Sequence, residues 1–324
     1  MATIEIRNRN IAVDVRAEIE EYEWRGAKWS HEKLIACSPF RDEYSPSFFV
    51  RLEPSGDYPA GIWSDSGASD DRFAKGGLVK LLAFLRHETY EEAEEYLLDK
   101  YAPRDGKRII VAPHIPRNKT YLPLDDSIID VLPSKYLESR GIEAEVQIAA
   151  GCGRGPYKGY VALPWRFPDG RLMNVKYRAT KGKMFFYEDG AYPIGRLVWG
   201  ADSVGNRDNP IICEAEIDAL SWRTAGFSAV ATGHGAISEE QVQILLGLGF
   251  KRYIAGGDND LIGKRFNAQL ERVLSKYAQV GKLDWHGIAE KDANDILRAR
   301  GKEGLRDLAS TVVFPPKFKK LSVR

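Results

Sequence analysis

The feature that most constrains this chain is an alternation between residues 209 and 300, where short apolar runs take turns with segments of helical spacing. The apolar runs predict strands at 210–214, 228–231, 251–257 and 282–288. The segments that follow them predict helices at 217–224, 238–248, 263–278 and 292–300. Strands that alternate with helices require crossover connections. The pattern therefore predicts an α/β unit with a mostly parallel four-stranded sheet and flanking helices.

Acidic residues follow the predicted strands and form the main candidate site. They are Glu214, Asp218, Asp258, Asp260 and Asp292. Because ligands bind at the carboxyl ends of parallel strands, we expect Glu214, Asp258 and Asp292 at one edge of the sheet. Alternate residues of an extended segment point the same way, so Asp258 and Asp260 can converge on one divalent cation. The alternative is a loop in which Asp and Asn side chains only cap the next helix.

A second candidate region is a basic hairpin further upstream. The runs 159–167 and 171–178 predict two strands, and Pro168-Asp169-Gly170 between them is a strong turn signal. Lys176 and Arg178 share one face of the second strand, which becomes cationic toward its end. The candidate nucleotide-binding or nucleic-acid-binding residues are Arg166, Lys176, Arg178, Lys181 and Lys183. The alternative is that they form the exposed edge of a half-buried hairpin.

Composition narrows the possible functions. The 324 residues carry a formal net charge of +1, so any nucleic-acid contact must come from a local basic patch. No apolar run approaches the roughly 18 residues of a membrane span, and the N-terminus lacks a signal-peptide core. We therefore expect a cytoplasmic protein with no membrane partner. Cys37, Cys152 and Cys213 are widely spaced, which predicts reduced thiols and neither disulfides nor a CxxC zinc knuckle.

Changes in composition along the chain predict five segments. Residues 103–123 are rich in proline, lysine and arginine and have no helical spacing, which is typical of a linker. The final residues are also basic. The predicted order is a small domain at 1–102, a linker at 103–123, a basic subdomain at 124–206, the α/β unit at 207–310 and a basic tail at 311–324.

The acidic pattern resembles the Toprim domain, which primases, topoisomerases and some nucleases share. The resemblance rests on Glu214 with Asp218, and on Asp258, Asp260 and Gly263. Three motifs are most similar to the primase half of phage primase-helicases: Glu214-Ala215-Glu216-Ile217-Asp218-Ala219-Leu220, Gly233-His234-Gly235-Ala236 and Lys291-Asp292-Ala293-Asn294-Asp295. The basic hairpin is similar to the subdomain that precedes Toprim in primases. Together the similarity covers most of residues 30–305.

Residues 1–102 resemble the N-terminal zinc-binding domain of bacterial and phage DNA primases. The resemblance lies in the spacing of Pro39-Phe40, Pro46-Ser47-Phe48, Trp63 and Gly76-Gly77. The metal ligands do not carry over, because Ser38-Pro39-Phe40-Arg41 stands where the family has Cys, Pro, Phe and His, and 64–71 contains no cysteine. Cys37 lies one position away, and a tetrahedral zinc site needs four nitrogen or sulfur ligands. We therefore expect a domain of this shape without structural zinc, with its core in the role of the metal.

The resemblance implies a DNA-dependent primase that synthesises short RNA primers on single-stranded DNA from ribonucleoside triphosphates. It implies that Asp218 orients Glu214 and that acidic side chains hold two Mg²⁺ or Mn²⁺ ions. The implied metal ligands are Glu214, Asp258, Asp260 and Asp292, with a general base as the alternative role of Glu214. The basic hairpin would bind the triphosphate. Glu216 is expected to face solvent. The sequence has no Walker-type loop, so a replicative helicase is expected as a separate partner.

Two other functions use the same residues. A Toprim nuclease would cleave phosphodiesters with water as the nucleophile, although the basic hairpin and the primase-like N-terminal region argue against it. A catalytically weakened replisome-binding module would suit the missing zinc ligands and Ala215, where the family usually has glycine. The full set of acids does not suit such a module. A type IA topoisomerase is not expected, because no strand-passage domain with its tyrosine follows.

Overall fold

The computed structural model describes residues 2–56, 58–102, 120–205 and 209–315. Contacts divide the chain into two compact units, each built from two stretches of sequence. The first unit is Met1–Leu122 with Arg178–Pro193, and the second is Pro123–Tyr177 with Ile194–Arg324. Most of the predicted linker and of the predicted basic tail lies outside the described residues. The five-segment division of the chain stays a prediction.

Most strands of the protein are short, and the longest helices lie near the C-terminus. The strands are β1 (Ala2–Ile6), β2 (Arg9–Val13), β3 (Lys28–Trp29), β4 (Lys33–Ala36), β5 (Phe48–Arg51), β6 (Trp63–Asp65), β7 (Lys75–Gly76), β8 (Asp130–Val131), β9 (Gly153–Arg154), β10 (Tyr160–Arg166), β11 (Leu172–Ala179), β12 (Phe185–Tyr187), β13 (Ile211–Cys213), β14 (Ala229–Ala231), β15 (Arg252–Ala255) and β16 (Gln279–Lys282). The helices are α1 (Val15–Ile19), α2 (Leu78–Arg86), α3 (Tyr90–Tyr101), α4 (Lys135–Ser139), α5 (Ala144–Ala149), α6 (Glu216–Thr224), α7 (Glu239–Gly247), α8 (Leu261–Leu274) and α9 (Ala293–Ser310). No described helix combines the length and the apolar character needed to cross a membrane.

The first unit is built around an antiparallel sheet with the strand order β3-β4-β5-β6-β7. The N-terminal hairpin of β1 and β2 precedes it, and α1 begins where the Asp14 side chain accepts a hydrogen bond from the N–H of Ala17. α2 and α3 follow the sheet. α3 begins with a capping box, in which Thr89 and Glu92 each accept from the other's backbone N–H. These caps fix the helix ends against the apolar core.

Aromatic side chains fill the core of the first unit. Phe40 packs against Phe48, Trp63, Phe73 and Phe84, with ring centroids 4.7–5.8 Å apart. Phe40, Phe48 and Trp63 are almost completely buried. Aromatic pairs at such distances contribute about 0.5–1.5 kcal/mol each beyond their buried area. The core therefore holds the loop that carries Phe40 against both β5 and β6.

The second unit contains most of the predicted basic hairpin, which is formed by β10 and β11. Its turn closes where the N–H of Phe167 donates to the carbonyl of Arg171, and Gly170 has a φ of 90°. This left-handed conformation favours glycine, which has no Cβ to clash with the backbone. β11, β10, β9 and β8 are neighbours in that order. The hairpin is more deeply buried than an exposed edge, because all of its strand residues except Arg166 and Arg178 are buried.

The rest of the second unit contains a parallel sheet with the strand order β14-β13-β15-β16. β13 is central, because Ile211 pairs with Ala229 of β14 on one side and with Ile254 of β15 on the other. β13 and β14 are fully buried and apolar, as strands covered on both faces are. α6, α7 and α8 each follow one strand and lead to the next. The predicted α/β fold with a parallel four-stranded sheet is confirmed.

The fourth strand of this sheet lies earlier in the chain than predicted. It covers Gln279–Lys282, whereas the sequence pattern predicted 282–288. Gly281 lies within the strand, and a Cβ there would be 2.7 Å from the side chain of Val312. A glycine weakens the strand signal, although the close approach of the C-terminal segment requires it here. The apolar residues further along, which suggested the strand, belong to a turn region.

The last helix is longer than predicted. α9 extends to Ser310, whereas the sequence pattern placed its end at 300. The difference arises at Gly301, which has a φ of 67° and breaks the helical geometry without ending the element. A glycine at this position is typical of a helix end, so the predicted stop coincides with a break in the helix, and a second helical segment follows it within α9.

Candidate functional site

The ends of β13 and β15 are joined at the carboxyl edge of the parallel sheet. Glu214 directly follows β13, and its Oε1 accepts a hydrogen bond from the backbone N–H of Asp258, 3.1 Å away. Asp258 lies in the loop after β15. Because the two strands are parallel neighbours, their carboxyl ends lie side by side. The structure thus brings together Glu214 and Asp258, which are 44 residues apart in sequence.

The turn between β15 and α8 is closely packed. Asp260 caps α8, because its Oδ1 accepts from the N–H of Gly263 at 2.9 Å. Its Oδ2 lies 3.2 Å from Nζ of Lys291. A Cβ on Gly263 would lie 2.1 Å from the carbonyl oxygen of Asp258, so a larger residue would displace this turn. The helix-capping alternative therefore describes Asp260, whereas Asp258 caps no helix.

Two further carboxylates lie at helix N-termini. Asp292 caps α9 by accepting a hydrogen bond from the N–H of Asp295 at 2.7 Å. Asp218 lies in the first turn of α6, and its Oδ1 accepts from the N–H of Asn294 at 3.1 Å. This bond joins the beginnings of α6 and α9. The positive ends of both helices therefore face carboxylates, which is a favourable arrangement.

The carboxylates are close enough to repel one another. Burial, together with the charges of Glu214 and Asp292, raises the pKa of Asp258 to about 8. Burial is also the main cause of the raised pKa of Glu214 and of Asp292. The pKa of Asp218 is raised by burial and by the charges of Asp258 and Asp292. A nearby cation stabilises such a group of carboxylates, because it favours their charged form.

Lys291 brings positive charge to this group of acids. Burial would raise the pKa of Asp260, but hydrogen bonds from the Gly263 N–H and from Lys291 lower it. Lys291 also acts to lower the pKa of Glu214 and of Asp258. Both values remain raised even so. Lys291 therefore compensates Asp260 and leaves the other carboxylates short of positive charge.

Asn259 holds two acid-bearing loops together, a role that the sequence pattern did not reveal. Its Nδ2 donates to the carbonyl oxygens of Ile288 and Glu290 at 3.0 and 3.2 Å. Its backbone N–H donates to the carbonyl of Lys291 at 2.7 Å. The loop that leads to Asp292 is thereby fixed to the turn between the two aspartates. From the alternation of an extended segment, the sequence indicates only that Asn259 points to the side opposite Asp258 and Asp260.

Asn294 links the site to the helices around it. Its Nδ2 donates to the carbonyl of Arg140 and to Oγ of Ser221, both at 2.9 Å. Its Oδ1 accepts from Nη1 of Arg140 at 3.1 Å. Asn294 is 2% exposed, so these bonds satisfy a buried amide. The motif at 291–295 was a sequence signal for this residue, although its contacts could not be read from it.

Lys176 and Glu216 form a buried ion pair, which corrects one expectation. Nζ of Lys176 lies 3.0 Å from Oε2 of Glu216, and Nε1 of Trp165 donates to Oε1 at 3.0 Å. Glu216 is 2% exposed, so the expectation that it faces solvent is wrong. The reason is that the first turn of α6 packs against β10 and β11, whose side chains supply both partners. Lys176 itself is 3% exposed.

Residues 211–297 match the family model described as Toprim-like. The match begins with β13 and ends within α9, and it contains all five acidic candidates. This segment is a Toprim-like domain. The Toprim resemblance drawn from the sequence is confirmed over this range. The residues that gather the carboxylates, including Asn259 and Asn294, lie within it.

Comparisons over longer parts of the chain find further similarities, which include one protein and two solved structures. A Mycoplasma genitalium protein described as "Uncharacterized protein MG010" is 27% identical over 186 residues, which is 55% of this chain and 85% of that protein. The Aquifex aeolicus primase structure with zinc binding and RNA polymerase domains is 18% identical, has a TM-score of 0.48 and covers 94% of this chain and 84% of its own. The primase fragment of the bacteriophage T7 primase-helicase protein is 19% identical, with a TM-score of 0.48, and covers 68% of this chain and 85% of its own.

The donor set of the Toprim-like domain suits Mg²⁺ or Mn²⁺. Its candidates are carboxylates, and hard divalent cations prefer oxygen ligands. Among residues 2–56, 58–102, 120–205 and 209–315, no three His, Cys, Asp or Glu side chains already form a metal-binding arrangement. One oxygen each of Glu214, Asp218 and Asp292 instead accepts a backbone N–H. Because a carboxylate has two oxygens, this anchoring is compatible with a metal ligand.

The basic candidates are divided between the two units. Arg166 lies with the Toprim-like domain in the second unit, where its Nη2 is 2.6 Å from Oδ1 of Asp126. Arg178, Lys181 and Lys183 belong to the first unit. There Arg178 donates to the carbonyl of Lys183, and Nζ of Lys183 lies 2.8 Å from Oδ1 of Asp42. Lys181 is exposed to solvent.

Proposed function

We propose that this protein is a DNA-dependent primase, which joins ribonucleotides into short RNA primers on a single-stranded DNA template. The observation that carries the proposal is a set of carboxylates at one edge of a Toprim-like domain: Glu214, Asp218, Asp258 and Asp292. Their mutual repulsion favours bound cations. The sequence resemblance of the N-terminal region and of the basic hairpin to primases supports primer synthesis over other Toprim reactions.

We assign the metal ligands to the acids that end the strands and cap the helices. The ligands of two Mg²⁺ or Mn²⁺ ions are Glu214, Asp258, Asp260 and Asp292. Such ions, when bound, lower the pKa of an attacking primer 3′-hydroxyl and neutralise a pyrophosphate leaving group. Asp218 orients Glu214 from the first turn of α6, and the N–H of Asn294 holds Asp218 in place.

The incoming ribonucleoside triphosphate needs fixed cations as well as metal. We assign this role to the basic candidates Arg166, Arg178, Lys181 and Lys183. Lys176 differs from the others because its charge is buried against Glu216 at the start of α6. Lys181 and Lys183 lie at the surface, where they can bind phosphates of the nucleotide or of the template.

Primer synthesis on duplex DNA requires a strand-separating partner. We therefore include a replicative helicase among the partners, together with single-stranded DNA and ribonucleoside triphosphates. The same activity places the protein in the cytoplasm. Pull-down of a helicase together with the full chain from cells that replicate DNA would support this part of the proposal.

The decisive experiment offers the full chain mixed single-stranded templates, labelled ribonucleotides and Mn²⁺. A primase produces labelled oligomers that depend on template, whereas a nuclease shortens the template and a binding module does neither. The control is the double variant Asp258→Asn with Asp260→Asn, which should produce no oligomers because its acids no longer carry the charge that attracts metal. Full primer synthesis by this variant would overturn the assignment.

A further inference from the structure

The domain that residues 1–102 resemble holds a structural zinc in its family, whereas the residues of the first unit do not fit one. Cys37 is the one cysteine in the stretches 1–122 and 178–193 that make up this unit. A tetrahedral structural site needs four nitrogen or sulfur ligands. Among the described residues of the unit, no three His, Cys, Asp or Glu side chains are placed to hold an ion. Another interaction must therefore hold the loops that zinc would join.

A hydrogen-bonded cluster centred on a guanidinium joins these loops. Arg41 binds Asp65 with both ends of its fork, through Nη1 to Oδ2 and through Nη2 to Oδ1 at 2.8 Å. Nη2 also donates to Oε2 of Glu43 and to Oγ of Ser47, both at 2.6 Å. Ser47 in turn donates to Glu43 at 2.8 Å. We call these four residues, Arg41, Glu43, Ser47 and Asp65, the Arg41 cluster.

The Arg41 cluster is largely shielded from water, and its carboxylates are well supplied with donors. The side chain of Asp65 is 0% exposed, and those of Arg41 and Glu43 are 21% and 15% exposed. The backbone N–H of Gly67 donates to Oδ1 of Asp65 at 3.1 Å, and that of Ser38 donates to Oε1 of Glu43 at 2.6 Å. A buried ion pair contributes to stability when further hydrogen bonds satisfy its remaining atoms.

The cluster lies at the two places where the sequence lacks zinc ligands. Arg41 stands where the family has its histidine, and Asp65 lies in the stretch 64–71, where the second cysteine pair is missing. The fit is close, because a Cβ on Gly67 would lie 2.2 Å from Nη2 of Arg41. Phe40, next to Arg41, packs on Trp63 two residues before Asp65. The same two segments are thus joined by the core on one side and by the cluster on the other.

We propose that the Arg41 cluster takes the structural place of zinc and closes the fold of the first unit. The bidentate guanidinium supplies one centre with several directed bonds, as a tetrahedral ion does. The unit then folds without metal and without a set of reduced cysteines. This proposal concerns the fold of the first unit and does not depend on the proposed primase activity.

Hydrogen–deuterium exchange of the full chain tests the proposal within one molecule. Arg41→Met should lower the protection of amides in β5 and β6 by about a hundredfold, because it leaves the Asp65 carboxylate buried without its partner. Amides of β13 and β15, in the second unit, should be unchanged. Arg16→Met removes an exposed pair with Glu20 and a cation–π contact with the ring of Trp29, so it should change protection in the first unit less than about tenfold. Protection in Arg41→Met equal to that in Arg16→Met would overturn the proposal.

Two further measurements separate the cluster from a metal site. Arg41→Lys keeps the charge but loses the fork, so its protection in β5 and β6 should fall between the wild type and Arg41→Met. Incubation of the wild type with a strong zinc chelator should leave protection in these strands unchanged. Stoichiometric zinc in the purified protein, together with loss of protection on chelation, would show that metal and not the cluster closes the fold.

Discussion

Two aspartates, one in each unit, are surrounded in opposite ways. Asp65 in the first unit is buried, and burial acts to raise its pKa, but the fork of Arg41 lowers it below the usual value. Asp258 in the second unit is partly buried beside Glu214 and Asp292, and its pKa is raised to about 8. The first carboxylate has a cation within the protein. The second is surrounded mostly by other acids.

This difference separates a structural carboxylate from one that suits a ligand. An external cation adds little stabilisation to a carboxylate that already has a cationic partner in the fold, as Asp65 has. A group of acids without enough positive charge nearby is stabilised strongly by a divalent ion, because one ion reduces several repulsions at once. Sequence position alone does not distinguish the two, since Asp65 is the last residue of one short strand and Asp258 closely follows another.

The largest expected effect comes from Asp258→Asn. It should lower kcat/KM for primer synthesis by about a thousandfold, since a metal site supplies several kcal/mol of charge stabilisation in the transition state and each 1.4 kcal/mol is tenfold. Stability in urea should stay the same or rise, because the amide removes a repelled charge. Primer synthesis and urea unfolding measure the two effects.

The matched variant is Asp65→Asn, which should lower stability in urea and leave kcat/KM for primer synthesis nearly unchanged. Removing the charge that faces Arg41 should lower the free energy of unfolding of the first unit by about 3 kcal/mol. The comparison between the two aspartates fails if Asp258→Asn destabilises the protein as much as Asp65→Asn does.

A smaller effect is expected from metal itself. Mn²⁺ at a hundred times its dissociation constant should stabilise the second unit by about 2.7 kcal/mol and leave the first unit unchanged. Hydrogen exchange of peptides that cover 211–224 and 252–265, compared with peptides that cover 33–51, measures both units together. Asp258→Asn should reduce the stabilisation. Equal stabilisation of both units would show that the ion binds elsewhere.

The next effect concerns the residue between the two aspartates. Asn259→Ala should lower activity or metal affinity by about tenfold, because the loop at 288–291 loses two hydrogen bonds that hold it beside the acids. The loss should be offset in part by raising the Mn²⁺ concentration, which a purely structural defect would not allow. Gln279→Ala is the control, since its amide also donates to a carbonyl, that of Pro315, outside the site. Equal activity of both variants would show that Asn259 does not help to position the acids of the site.

The smallest effect is a difference in pH dependence. The pKa values of Asp65 and Glu43 are lowered in the folded protein, where hydrogen bonds outweigh the opposing effect of burial. Their contribution to stability is therefore present above the pKa of the unfolded chain and is lost as the pH falls through the folded values. Protection factors of β5 and β6, corrected for intrinsic exchange, should fall in acid. Arg41→Met should weaken this dependence, while the hydrogen bonds from Ser38 and Gly67 keep part of it. An unchanged dependence would show that Arg41 does not contribute to it.

Regular patterns made much of the second unit predictable. Alternating apolar runs and helices predicted the parallel sheet, and the positions of Glu214 and Asp258 after predicted strands led us to expect both at one edge of it. The fourth strand was misplaced because Gly281 has no side chain to add to the pattern, and its place in the sheet depends on packing by the C-terminal segment. Local propensity cannot report a contact between distant segments.

Buried polar pairs were the part that sequence did not predict. Lys176 and Glu216 each look like solvent-facing residues, and only the packing of α6 against the hairpin shows that they neutralise one another. Asn259 and the Arg41 cluster are similar cases, since each acts on segments separated from it by many residues. Their geometry depends on tertiary structure, whereas periodicity reports only on neighbours along the chain.

The division of the first unit into two stretches of sequence has a consequence for dissecting the molecule. Residues 178–193 belong to it, and there Phe185 stacks on Phe84 with centroids 4.8 Å apart while Tyr187 donates to the carbonyl of His87. A fragment cut at residue 122 would lack this covering and would expose an aromatic face. A contiguous N-terminal fragment should therefore be less stable than the same residues are in the full chain.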